Sequence, residues 1–365
     1  RLNMPPAPVY WLVIQERFDD LVVGSYGRGF YILDDIGSLR GLDQESLAAN
    51  TLFDVRPAYR WQEVQGIKTE GSMSTGRDPR YGADINYFVA GDGGGRAQIS
   101  IADASGTVVR ELTGSTQPGI NRVFWDLRHP SPALPRFRNK PPGKDFVPLE
   151  QGGDRVVYVW DIDLTRGQRG PLAVPGLYTV TVTIGDEAFS KPLEVLKDPY
   201  STGTQADIEA QVALSLQMRD QISDITSVIE RMEHTRLQLD AAAAALTNDS
   251  EAAAVRAEAQ RLGAVAAALE GRLVDINLTG AREDSFRNPM QLYGRFSALA
   301  SDLDWKGSDF IPTMQQREVH QLLTDRLEEA KQAIQAFFDG ELNRLNDQLR
   351  AFGRPAIVSD DGGQG

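Results

Sequence analysis

Nucleophilic catalysis through serine or cysteine needs a histidine held beside the nucleophile. This 365-residue sequence offers three histidines, His129, His234 and His320, and no cysteine. His129 stands in a proline-rich stretch, and His234 and His320 fall on predicted helices among charged neighbours, the setting of solvated surface histidines. No His-Glu-x-x-His pattern is present. The lack of cysteine removes thiolate chemistry, disulfides and Cys-based zinc sites together. Paired carboxylates could serve glycoside hydrolysis, one donating a proton while the other supports an oxocarbenium-like transition state. With 51 Asp and Glu residues, however, neighbouring carboxylates arise by chance. Asp161 and Asp163 flank Ile162 on a predicted strand and share one face, read here as a solvated face opposite Trp160, Ile162 and Leu164. Asp34 and Asp35 read as strand-end residues that accept backbone hydrogen bonds. Gly24-x-x-Gly27-x-Gly29 lies in a hairpin, and Gly91-Asp-Gly-Gly-Gly95 lacks the Lys-Ser or Lys-Thr of a phosphate loop, so neither has the setting of a nucleotide site. Asp-rich calcium spacing is also absent. These readings assign no catalytic residue, no cofactor and no metal.

One cluster could hold a charge. Arg128, Arg136, Arg138, Lys140 and Lys144 crowd into the proline-rich loop 128–153, within a chain whose formal net charge is -13. Its chemistry would be a contact to an anion or an acidic partner; the alternative is a loop lying against a neighbouring domain or the helices. A loop of this length inside a domain is functional, docked or disordered. The overall acidity argues against a phosphate-tracking nucleic-acid surface, which needs clustered Lys and Arg. No apolar run approaches the length of a membrane span. No charged start followed by an apolar core marks a signal peptide.

The elements that must position these residues change character along the chain. Val9 to Ile14, Leu21 to Ser25 and Phe30 to Leu33 are short runs rich in β-branched and aromatic residues, an antiparallel meander too small to be a domain. Further strands are predicted at Ile85 to Ala90, Ala97 to Ala102, Val108 to Leu112, Val123 to Leu127, Val156 to Ile162, Gly176 to Ile184 and Ala188 to Val195. In Gly176–Ile184 the residues Tyr178, Val180, Val182 and Ile184 alternate with threonines. From Gln205 the apolar spacing becomes helical: Ile208, Val212, Leu216 or Met218, Ile222, Ile225, Ile229 and Met232 trace one stripe. A second, alanine-rich helix follows Asn248-Asp-Ser250, a third starts at Pro289, and a fourth runs from Thr313 through Leu349.

The phrase Gly24-Ser-Tyr-Gly-Arg-Gly-Phe-Tyr-Ile-Leu-Asp-Asp35 resembles the closing blade of large bacterial propeller proteins of the sortilin-like, BNR-repeat glycosyl-hydrolase-like family, with Ser25 in place of the usual threonine. Asn121-Arg-Val-Phe-Trp-Asp-Leu-Arg-His-Pro130, Val174-Pro-Gly-Leu-Tyr-Thr-Val-Thr-Val182 and Leu193-Glu-Val-Leu-Lys-Asp-Pro199 are similar to phrases that follow the propeller in that family, in the same order. Pattern and resemblance together give a multidomain expectation, β then α. Residues 1–45 are the remnant of a last propeller blade, 46–199 an immunoglobulin-like β-sandwich, 200–352 an antiparallel four-helix bundle and 353–365 a disordered tail. The resemblance implies a secreted or periplasmic bacterial protein whose partners are upstream blades of the same protein and a protein or glycan ligand. Two functions stay open. One is a non-catalytic structural or interaction region; the other is part of a sialidase-like glycoside hydrolase whose active site lies in the missing propeller.

Overall fold

Every second side chain from Tyr178 to Ile184 is buried, and the strand they form sits at the centre of a five-stranded sheet. The computed structural model describes residues 4, 6–44, 47–61, 79–91, 93–155, 168–281, 284, 290–304 and 309–358. Strands come first along the chain and helices second, in two compact units. The first comprises Arg1–Pro130, Leu172–Ile208 and Lys306–Asp309; the second comprises Ser131–Pro171, Glu209–Trp305 and Phe310–Gly365.

In the first unit, β1 (Val9–Gln15), β2 (Asp20–Ser25) and β3 (Phe30–Leu33) form an antiparallel meander in that order, followed by the single-turn α1 (Gly37–Arg40). Strands β4 (Thr51–Leu52), β6 (Ala83–Val89) and β9 (Gly119–Trp125) make a second sheet in the order β4-β6-β9. Strands β5 (Ala58–Arg60), β7 (Ala97–Ala102), β8 (Val108–Gly114), β10 (Gly176–Ile184) and β11 (Glu187–Lys197) make a third, in the order β5-β11-β10-β7-β8. The second and third sheets share one core, in which Leu52, Ile85, Tyr87, Ile99, Ile101, Trp125, Val180 and Leu193 are buried. Trp125 is fully buried, packs edge-on against Tyr178 and donates from its indole Nε1 to the Arg128 carbonyl at 3.0 Å. Burial pushes the Tyr178 hydroxyl up to about 12, and it donates to the Val174 carbonyl at 2.7 Å.

Strand β9 ends at Trp125 rather than at Leu127, because Leu127 adopts a left-handed backbone (φ 56) and the Asp126 carboxylate accepts from the Arg128 amide, turning the chain. The two-residue turn Gly185-Asp186 joins β10 to β11, with Gly185 supplying the positive φ. The predicted strand Val156 to Ile162, with Asp161 and Asp163, lies outside the described residues.

The second unit is built on α2 (Gln205–Ala245), α3 (Ala253–Glu270), α4 (Leu292–Leu303), α5 (Met314–Phe337) and α6 (Asn343–Ala351). The first four residues of α2 belong to the first unit. Along α2 the stripe runs through Met218, Ile222, Ile225, Ile229 and Met232, with Met218 rather than Leu216 in the core. Thr313 opens α5 with a capping box shared with Gln316. The fourth predicted helix is not one uninterrupted α-helix: a π turn, Phe338–Leu342, links α5 to α6. Consecutive Phe337 and Phe338 both enter the core there and pack edge-on with ring centroids 5.5 Å apart.

Two expected boundaries are corrected. The loop expected inside the sandwich region belongs with the helices from Ser131 onward, because Phe137 is buried in the helical core and α2 supplies its hydrogen-bond partners. The tail expected to be disordered from 353 is packed through Val358. Ile357 is only 5% exposed and exchanges two hydrogen bonds with Asn346, and Val358 exchanges two with Gln238. The apolar run Pro355-Ala-Ile-Val358 gives that segment something to bury. Residues 359–365 lie outside the described residues.

Candidate interaction surface

Strand alternation in the meander assigns its faces. Trp11, Gly24 and Phe30 stand opposite one another across the three strands, as do Val13, Val22 and Ile32, so these six share one face. A Cβ added at Gly24 would meet a ring carbon of Phe30 and the Trp11 Cβ, each at 3.8 Å. That face is open. Trp11 is 67% and Phe30 82% exposed, and Val13 and Ile32 are exposed beside them. The opposite face is covered only in part: Val23 is buried and Tyr31 half-buried, while Leu12, Ile14 and Leu33 are exposed. Trp11 and Phe30 alone leave on the order of 300 Å² of aromatic surface in water. With Val13 and Ile32 added, the face reaches the size at which an apolar patch marks a binding site. Covering the two rings would contribute roughly 7 kcal/mol before the costs of association.

The meander is held at its C-terminal end. Asp35 has a left-handed backbone (φ 50), which its short polar side chain tolerates. Its carboxylate accepts from the Gly37 amide at 3.2 Å and from Asn86 Nδ2 at 2.8 Å, while its own amide donates to Asp20 Oδ1 at 2.9 Å. This matches the strand-end role read for Asp35. Arg122 donates from Nε to Asn86 Oδ1 at 2.7 Å and from Nη2 to the Asp35 carbonyl at 3.1 Å. Burial raises the Asp34 and Asp84 carboxyls above the ordinary value, and the Arg56 and Arg122 guanidiniums oppose that shift. The anchor therefore rests on strands β6 and β9 of the second sheet, leaving the Trp11–Phe30 face uncommitted. Arg28, in the Gly-Arg-Gly turn, lies between Gly27 and Gly29 at φ 74 and 82, conformations that explain the two glycines.

The five basic residues singled out in the loop do not form one patch. Arg128 is buried in the first unit, where its backbone carbonyl serves Trp125. The other four belong to the second unit. Arg136 faces Asp154 at 3.8 Å. Lys140 Nζ donates to the Asp145 carbonyl at 2.7 Å and Lys144 Nζ to the Asn277 carbonyl at 2.8 Å. The Arg138 amide donates to Glu233 Oε2 at 2.5 Å, while its buried Nη1 has no hydrogen-bond partner.

Glu233 is the residue that composition concealed. Its carboxylate also accepts from the Asn139 amide at 2.6 Å and from Asn139 Nδ2 at 2.8 Å, and it lies 3.5 Å from Arg236 Nη1. Arg236 in turn reaches Glu270 Oε2 at 2.9 Å, and both glutamates are buried. Burial, reinforced by the Glu233 carboxylate, pushes the Glu270 carboxyl well above its ordinary value, with Arg236 opposing. Arg155 is lowered by burial and held up by Glu233, Glu270 and Asp284. Folded Glu270 thus keeps its proton to higher pH than the unfolded chain does. Its stabilising contribution is complete below the unfolded value of about 4.3 and is lost as pH rises toward the raised folded value. Glu270→Gln, which fixes an uncharged form, is expected to gain stability over the parent progressively as pH rises above about 4.3. Urea denaturation across a pH series measures this, and a difference that stays constant with pH contradicts it.

His320 Nε2 shares a 2.7 Å hydrogen bond with Gln221 Oε1, burial lowers its pKa, and His234 and His129 use their backbone carbonyls as acceptors. Among the described residues no group of three or more His, Asp or Glu side chains could hold a metal ion, and no helix is long and apolar enough to cross a membrane. No family model matches the chain, and neither a curated protein nor a solved structure matches it.

Proposed function

We propose that this chain is a non-catalytic structural and interaction region at the C-terminus of a large secreted propeller protein of the sortilin-like, BNR-repeat type. In this reading β1–β3 belong to the closing blade and dock on upstream blades. The two-sheet region is an immunoglobulin-like sandwich, the helices form an antiparallel bundle, and either offers a surface to a protein or glycan. The observation that carries the reading is the Trp11–Phe30 face: a three-stranded meander anchored at one end, with an apolar face left in water, is a piece of a larger β structure.

Two tests bear on it. Reading the coding region upstream of Arg1 is expected to reveal further strand–turn repeats carrying the Gly-Arg-Gly-aromatic phrase; an initiator methionine immediately before Arg1 would overturn the blade assignment. The isolated chain is expected to leave a panel of aryl glycosides intact. Hydrolysis that disappears when one carboxylate is replaced would overturn the non-catalytic reading.

A further inference from the structure

Basic residues are the minority in this chain, 38 against 51 acidic ones, yet three arginines from three separate places line one cavity of the second unit. Arg272 follows the end of α3, Arg295 lies in the early part of α4, and Arg326 is on α5. The cavity holds about 320 Å³, and the buried Leu292 and Ala330 form part of its lining. Arg295 spends one donor, Nε, on the Met290 carbonyl at 2.8 Å. Among the described residues no carboxylate lies within 4 Å of any of the three guanidiniums, although Glu329 also lines the cavity. Elsewhere in the same unit Arg236, Arg261 and Arg350 each pair with a carboxylate at 2.9 Å or less.

Three like charges around one cavity, with Glu329 as an acidic wall residue, leave an excess of positive charge that an entering anion neutralises. Each guanidinium presents a planar fork that matches a phosphoryl group with paired donors. The start of α4 adds to this field: its first residue, Leu292, lines the cavity, and no side-chain cap closes its first turn, so the positive end of the helix dipole faces the same space. The volume lies at the lower end of the range for small-molecule sites, about 300–1,000 Å³. We propose that this cavity binds a small phosphate-bearing molecule, with Arg272, Arg295 and Arg326 as its cationic clamp.

Inorganic pyrophosphate is the probe, titrated calorimetrically into the whole chain at constant ionic strength. Saturable binding is expected, weakened at least tenfold by Arg272→Ala and by Arg326→Ala and strengthened by Glu329→Gln, which removes the one acidic wall residue among the described residues. Arg272 and Arg326 are exposed, so both variants are expected to keep the parent's circular dichroism and melting midpoint without ligand. Arg350→Ala, an exposed arginine paired with Asp347 outside the cavity, controls for net charge and is expected to leave affinity unchanged. Absence of saturable binding, or equal weakening by Arg350→Ala, overturns the proposal. A second arm uses phosphatidylcholine vesicles carrying phosphatidylinositol phosphate, and no cosedimentation is expected. Vesicle binding that the two arginine variants abolish, with none to pyrophosphate, overturns the assignment to a soluble ligand.

Discussion

Asp309→Ala is expected to cost the first unit about 3–5 kcal/mol, because it strands the Arg60 guanidinium without its counter-charge in a buried position. The side chains of Arg60 and Asp309 are 3% and 1% exposed and form an ion pair. Arg60 Nε already lacks a hydrogen-bond partner, so no neighbouring acceptor stands ready to replace the carboxylate. The surroundings cannot relax easily either: a Cβ added at Gly203 would overlap the Asp309 backbone, which shows how closely the two segments approach. Removing both charges is a different experiment. Arg60→Met with Asp309→Leu is expected to recover most of the loss, since a buried pair repays little more than its own desolvation. Chemical denaturation of the two single variants and the double variant measures this. A loss below about 1 kcal/mol for Asp309→Ala would show that the pair is solvated.

Glu233→Ala is expected to cost a comparable amount, about 3–5 kcal/mol, and to act on the loop before it acts on the helices. The substitution leaves the amides of Arg138 and Asn139 without their acceptor, leaves Asn139 Nδ2 with the Glu233 backbone carbonyl at 2.9 Å alone, and leaves Arg236 with Glu270 alone. Each orphaned buried donor carries a desolvation penalty of about 1–3 kcal/mol. Glu233→Gln retains one acceptor oxygen and is expected to lose roughly half as much. Hydrogen exchange reads the mechanism directly: the Arg138 and Asn139 amides should lose protection in Glu233→Ala while the amides of α2 near Ile225 keep theirs. Amides at 138 and 139 that stay protected would mean that the loop is held by something other than Glu233.

Sequence periodicity located what short-range pattern controls. The alternation from Tyr178 to Ile184, the helical stripe beginning at Ile208 and the helix start at about Thr313 are local, and each appears where it was read. What escaped depends on residues distant in the chain. Glu233 sits in Glu-Arg-Met-Glu-His, a phrase with the composition of a solvated helix face; it is buried because residues 138 and 139 return to meet it. The loop's basic residues read either as a contact to an anion or as part of a docked loop; the partners of Lys140 and Lys144, the carbonyls of Asp145 and Asn277, are ones that no spacing rule could anticipate. Arg272, Arg295 and Arg326 are unremarkable one by one and become a site only when α4, α5 and the turn after α3 bring them to one cavity. The meander is the opposite case. Its strands and its strand-end aspartate were legible, while the exposure of one face needed the rest of the unit to be placed first.

The central claim is that the Trp11–Phe30 face is an open docking surface that contributes little to the fold of this chain. The direct measurement combines Trp11→Lys with Phe30→Lys and follows two quantities, binding of an apolar fluorescent dye and stability in urea. The account predicts that the parent binds the dye, that the double variant binds markedly less of it, and that stability changes by no more than about 0.5 kcal/mol, the range for exposed positions. A stability loss of about 2 kcal/mol or more, or a parent that binds no dye, would mean that the chain covers this face itself, and would contradict the account.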